Sequence, residues 1–161
     1  MKIRNLKALI VAIILCEILG ALGTIFTAPN IPTWYAILTK PFFSPPNWVF
    51  GPVWTTLFFL IGVALYIIWE NSEKKKAKER KFALMVFGVQ FLFNILWSGL
   101  FFGLKSPLLG LVGIIFLWLS IAWTIILFYN ISKKSAYLLV PYILWVSFAT
   151  ILNLAIFLLN P

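Results

Sequence analysis

Five stretches of this chain, 6–28, 49–69, 82–104, 108–129 and 137–159, are each long and apolar enough to cross a lipid bilayer. A spanning helix needs about 20 consecutive apolar residues, whereas a spanning strand needs only about 10. Backbone in lipid must satisfy its own hydrogen bonds, so runs of this length are read as helices. The composition agrees: 63% hydrophobic and 11% charged residues, with a mean hydropathy of +1.03, exclude an ordinary soluble domain. The first run follows Lys2, Arg4 and Lys7 and imitates a signal peptide, yet it is too long and lacks a small-residue cleavage site. Connections 105–107 and 130–136 are short, which makes the helices they join antiparallel. The prediction is an all-α membrane protein: one domain over 1–161, a five-transmembrane-helix bundle with a long ordered loop between helices 1 and 2.

The cations orient this bundle. Lys2, Arg4 and Lys7 precede the first span, six more lie between 74 and 81, and Lys133 and Lys134 sit in the fourth connection. Five spans bring these three regions to one side, so eleven of the thirteen Lys and Arg lie together and only Lys40 and Lys105 lie opposite. The positive-inside rule then puts the N-terminus in the cytoplasm and the loop after the first span outside. The net charge of +9 is read as a topology signal and an attraction to anionic membrane lipids. No nucleic-acid partner is expected, because the basic run is a solvated turn between helices.

Residues 34–54 form more than a connector. This segment holds three Trp, one Tyr, three Phe and four Pro, with Pro32 just before it. So many rings gain by burial, and proline lowers the entropy lost on ordering, so a rigid aromatic cap outside the membrane is expected. The run Trp34-Tyr-x-x-Leu-x-Lys-Pro-x-Phe-x-Pro-Pro-x-Trp-Val-x-Gly-Pro-Val-Trp54 resembles the signature of the translocator protein/tryptophan-rich sensory protein (TspO/MBR) family. Residues 90–98 with Phe101 and Phe102, and residues 138–153, are similar to two further blocks of that family. The resemblance implies a five-helix membrane protein, here placed in a prokaryotic plasma membrane. It also implies homodimers packed on the third helix, and ligand-contacting tryptophans at Trp54 and Trp145.

Helical periodicity sorts the inward faces. In the third span Gln90, Asn94 and Ser98 recur every four residues and fall within roughly 80° of arc, with Trp97 beside them. Such groups face a bundle interior or a cavity. Gly88, Gly99 and Gly103 fall on the other side, and Gly99-x-x-x-Gly103 has the spacing of close helix contact. That contact serves either packing inside the bundle or a dimer interface; the resemblance selects the dimer. In the fifth span Trp145, Ala149 and Asn153 recur every four residues, and in the second Gly51, Trp54, Phe58, Gly62 and Trp69 share a face. Indoles opposed to small residues leave concave space for a flat apolar ligand. The expected pocket is Trp54, Asn94, Trp97, Ser98, Trp145 and Ala149, closed by Tyr35 and Pro45 of the cap. Trp48, Trp69, Trp118 and Trp123 are read as core or interfacial aromatics.

Absences bound the chemistry. The chain has no His and no Asp, and one Cys, Cys16, inside the first span. Imidazole bases, Ser-His triads and His-ligated metals are excluded, and no cofactor or metal is expected. Glu17 is the only acid within a span, read either as a structural hydrogen-bonding group or as part of a ligand- or proton-linked site. Three functions remain open: a receptor, sensor or translocator for tetrapyrroles (protoporphyrin IX, haem) and similar flat hydrophobic molecules, as the resemblance implies; light- or oxygen-dependent porphyrin breakdown through indole radicals at Trp54 and Trp145; or a structural membrane protein. Binding is preferred, since acid–base groups for catalysis are missing. The sterol pattern attributed to the last helix of animal relatives is absent, because 151–161 lacks both Tyr and a cation. Leu127, Tyr129 and Lys133 fit it formally, as an interfacial Tyr beside a snorkelling Lys also would.

Overall fold

Polar side chains start the helices of this bundle where the apolar runs begin. A computed structural model of the chain describes residues 5–70 and 76–160; Lys2, Arg4, Lys74 and Lys75 of the charge argument lie outside them. Asn5 caps α1 (Leu6–Ala21) by accepting from the Ala8 amide at 3.1 Å, and its own N–H donates to the Tyr66 hydroxyl at 3.2 Å. There follow α2 (Thr24–Asn30), a single turn α3 (Trp34–Ile37), α4 (Asn47–Trp69) and α5 (Ala77–Ser98). After a π-helical turn (Gly99–Gly103) come α6 (Pro107–Ile131), α7 (Lys133–Leu138) and α8 (Val140–Leu159). Ser106 caps α6, accepting from the Leu109 amide at 3.2 Å, with Pro107 in the first turn where its missing N–H is harmless.

Four helices, Asn47–Trp69, Ala77–Gly103, Pro107–Ile131 and Lys133–Leu159, have the length and hydropathy of membrane spans. The fifth span is α1 with α2, bent by 47° at the break between them, so the expected continuous helix over 6–28 is in fact two pieces. The cause is local: Gly23 and Thr24 sit at the joint, and the Thr24 and Thr27 hydroxyls donate to the Ala21 and Gly23 carbonyls at 2.6 and 3.0 Å. Side-chain bonds of this kind bend helices. The loop between the first two spans is also shorter than residues 34–54. Its last eight residues are the start of α4 and its first four are α3, leaving 38–46 as the irregular cap.

Packing follows side-chain size. A Cβ on Gly62 of α4 would lie 2.6 Å from the Ile13 Cα, so the backbones of α1 and α4 meet there. α6 packs between α5 and α8, and the Ser135 hydroxyl of α7 donates to the Ala64 carbonyl at 2.7 Å. The buried core runs through Leu57, Ile61, Ile68, Phe87, Phe91, Leu117, Phe128 and Val146. Outward faces carry exposed Leu, Ile, Val and Phe, as a bilayer requires. The cap is tied to the end of the last helix: the Thr39 amide donates to Asn160 Oδ1 at 2.9 Å and Asn160 Nδ2 donates to the Thr39 carbonyl at 3.0 Å.

Candidate functional site

A cavity of about 460 Å³ opens between α1, α2, α4, α5 and α8 beneath the cap. It exists because bulky rings on some helices face small residues on others. On α1 and α2 the wall is Gly20, Ala21, Gly23, Thr24 and Ala28; opposite stand Trp54 and Phe58 of α4 and Trp97 of α5. Gly20 cannot be enlarged, because a Cβ there would collide with the Phe58 ring. A Cβ on Gly23 would lie 2.8 Å from Ser98 Oγ, so glycine gives that hydroxyl its place on the wall.

The rings form a continuous array. Trp54 stacks on Phe58 (5.4 Å between centroids, 24°) and lies tilted on Trp97 at 6.3 Å; Trp97 stacks on Phe101 at 6.0 Å. The π-helical turn, closed by the Leu104 amide donating to the Gly99 carbonyl at 2.8 Å, carries Phe101 and Phe102 under the cap. There Trp34 meets Phe101 edge-on at 5.4 Å and Tyr35 lies tilted on Phe102 at 5.7 Å. Tyr35 is only 3% exposed, with Lys40 Nζ 4.7 Å from its ring centre. Its buried hydroxyl lies beside that of Ser44, and the two interact within the cap.

Polar groups on the wall are held in fixed orientations. Asn94 Nδ2 donates to the Tyr142 hydroxyl at 3.2 Å. Trp97 Nε1 donates to Asn153 Oδ1 at 3.3 Å, and Asn153 Nδ2 donates to the Pro107 carbonyl at 2.8 Å. The Trp97 indole is thereby locked through α8 to the start of α6. The rest of the lining is mostly apolar, with Glu17, Thr24, Thr27, Asn47, Thr55 and Ser98 as its other polar side chains, the chemistry of a site that gains affinity by burial and direction from a few polar atoms.

Of the eight residues the sequence reading assembles, Tyr35, Trp54, Asn94, Trp97, Ser98 and Ala149 line this cavity; Pro45 and Trp145 do not. Phe50, itself on the wall, stands edge-on to Trp145 at 6.0 Å. Trp145 therefore sits behind Phe50, packed on Phe148 at 5.5 Å. Pro45 stays within the cap, partly exposed. Phe58 and Asn153, which periodicity puts on inward faces but which the expected pocket left out, also line the wall, as do Phe101, Phe102, Leu152 and Ile156, which no spacing argument had placed there. The α8 positions were signalled by the spacing Ala149, Leu152, Asn153, Ile156; nothing in the sequence announces that the π-helical turn swings Phe101 inward.

Gly99 and Gly103 are covered from within the chain. A Cβ on either would meet the Phe26 ring, at 3.7 and 3.0 Å, whereas one on Gly88 would meet nothing within 4 Å. The α2 segment beyond the break lies on the face that straight-helix spacing assigned to a second copy. The π-helical turn also takes Gly103 out of the regular register assumed for the pair.

The profile of the TspO/MBR family matches residues 12–159. The chain belongs to the TspO/MBR family. It is 48% identical over 156 residues to the tryptophan-rich protein TspO of Archaeoglobus fulgidus, covering 97% of this chain and 99% of that one. The protein of the same name from Chlorobaculum tepidum is 42% identical over 158 residues, 98% of this chain and 99% of the relative. The translocator protein of Bos taurus is 34% identical over 134 residues, 83% and 79% respectively. This TspO/MBR member is an integral membrane protein, and the cavity lining, from Glu17 to Ile156, lies within the residues that the family profile matches.

Proposed function

We propose that this TspO/MBR protein is a membrane receptor or translocator whose cavity takes flat hydrophobic molecules, tetrapyrroles such as protoporphyrin IX and haem among them. One observation carries the reading: the Trp54, Phe58, Trp97 and Phe101 rings form one wall of a roughly 460 Å³ space faced by small residues. That volume lies within the range of about 300–1,000 Å³ typical of small-molecule sites. Planar aromatic ligands pack on such rings with about 0.5–1.5 kcal/mol per pair beyond area burial. Asn94 and Ser98 supply direction, and Tyr35 closes the space from the cap.

The test is quenching of Trp fluorescence by protoporphyrin IX in purified protein. Trp54→Ala removes a ring from the wall and should weaken binding about several-fold to a hundredfold. Ala149→Phe should weaken it comparably by filling the space. Trp145→Ala, behind Phe50, should leave affinity within about twofold. Parental affinity in both Trp54→Ala and Ala149→Phe, with thermal stability intact, would sink the assignment of ligand to this cavity.

A further inference from the structure

Among the described residues, the cavity wall contains one ionisable carboxyl, Glu17, and no basic side chain. Glu17 lies on α1 one turn before Gly20 and Ala21, with Thr24 a further turn on; all four line the space. Eleven residues separate Glu17 from the start of α1, about 16 Å of helix rise, which puts it well inside the membrane-spanning part. On the opposing helix Phe58, which packs on Gly20, lies a similar distance from the cap end of α4. Glu17 therefore marks the inner end of the cavity, and Tyr35 the cap end.

Three of the surrounding donors are committed elsewhere. Thr24 and Thr27 donate to backbone carbonyls of their own helix, and Asn94 donates to Tyr142. Among the described residues nothing donates a hydrogen bond to Glu17 or forms an ion pair with it. A carboxyl in a membrane-spanning helix without a partner from its own chain is costly and marks a functional position. Here it is directed into a space shaped for a flat apolar molecule.

We propose that Glu17 is the polar anchor of the cavity, and that the ligand it selects is a flat apolar molecule carrying a basic nitrogen toward the inner end. The inference rests on the proposed reading of the cavity as a ligand site, and adds the charge of the ligand. A protonated nitrogen donating to the carboxylate makes a charge-assisted hydrogen bond, roughly twice as strong as a neutral one. An acid group at the same end would face Glu17 without a neutralising cation. A tetrapyrrole with acidic side chains accordingly enters with those acids toward the cap, on whose side Lys40 lies.

The experiment uses the full chain in nanodiscs of uncharged phosphatidylcholine and three probes of one shape: 9-aminoacridine as cation, acridine as the neutral parent, and acridine-9-carboxylate as anion. Binding is read by energy transfer from tryptophan at neutral pH. The parental protein should prefer the cation over acridine by about tenfold and the anion least. Glu17→Gln keeps the shape and removes the charge, so the cation-to-neutral ratio should fall to about one. If acridine binds but the ratio is the same in parent and Glu17→Gln, or the parent shows no preference, the anchor role is refuted and Glu17 serves the bundle itself. If no probe binds, and Trp54→Ala changes nothing, the cavity reading fails and this proposal with it.

Discussion

Substituting Gly62 by Ala tests the packing that gives the cavity its shape. The added Cβ would lie 2.6 Å from the Ile13 Cα and 3.1 Å from both the Ala12 carbonyl oxygen and the Ile13 amide nitrogen. All three are backbone atoms, so no side chain can swing aside. Moving from 2.6 Å to the 3.4 Å at which ordinary contact begins requires α1 and α4 to separate by about 0.8 Å. Overpacking of this kind costs about 1–3 kcal/mol, partly offset by the better helix propensity of Ala, up to about 1 kcal/mol. A net loss of about 1–2 kcal/mol lowers the unfolding midpoint of a chain this size by roughly 2–8 °C. Fluorescence-monitored unfolding in detergent reads it directly, with Gly51→Ala as the comparison, since its Cβ would meet nothing within 4 Å. Because α1 carries Glu17 and Gly20, the same shift loosens one wall of the cavity and should weaken porphyrin quenching. A Gly62→Ala midpoint equal to the parent's, or an equal drop in Gly51→Ala, would refute the claim that backbone contact at Gly62 sets the spacing of these helices.

Two further outcomes test orientation and assembly. With Cys16 removed, cysteines at Lys76 and Lys133 should resist an impermeant thiol reagent in intact cells while one at Asn30 labels; the reverse pattern would invert the bundle. On the proposal that two copies meet on α5, Gly88→Trp should shift the protein from dimer to monomer in size-exclusion with light scattering. Gly103→Leu, which strikes Phe26 of its own chain first, should lower thermal stability instead, and a dimer lost only in Gly103→Leu would move the interface away from Gly88.

How far the chain could be read depended on whether water or lipid discriminates between the alternatives. The five spans were legible because hydropathy summed over some twenty residues leaves few alternatives. Asn94 and Ser98 were legible because a bilayer penalises polar groups on its side of a helix, and their spacing of four fixed one face. The break at Gly23 and the π-helical turn at 99–103 were not. Each shifts a few hydrogen bonds while leaving hydropathy unchanged, and each rotates the residues beyond it. The turn brought Phe101 onto the wall and set Gly103 against Phe26.

Aromatic residues are the harder case, and Trp145 shows why. An indole is equally at home in a bundle core, a cavity wall or the lipid interface, so periodicity can place Trp145 on the face of Ala149 without saying which ring stands in front. The answer came from Phe50, on another helix, whose edge-on contact at 6.0 Å puts the indole in a second layer. Trp97 lies on the wall for a polar reason: its Nε1 donates to Asn153, which in turn holds the Pro107 carbonyl. Asn153 is 2% exposed; its spacing of four from Ala149 put it on the inward face, though not in the expected pocket. In a chain this apolar, the polar side chains fix the geometry of the site, and the aromatic ones fill the room those choices leave.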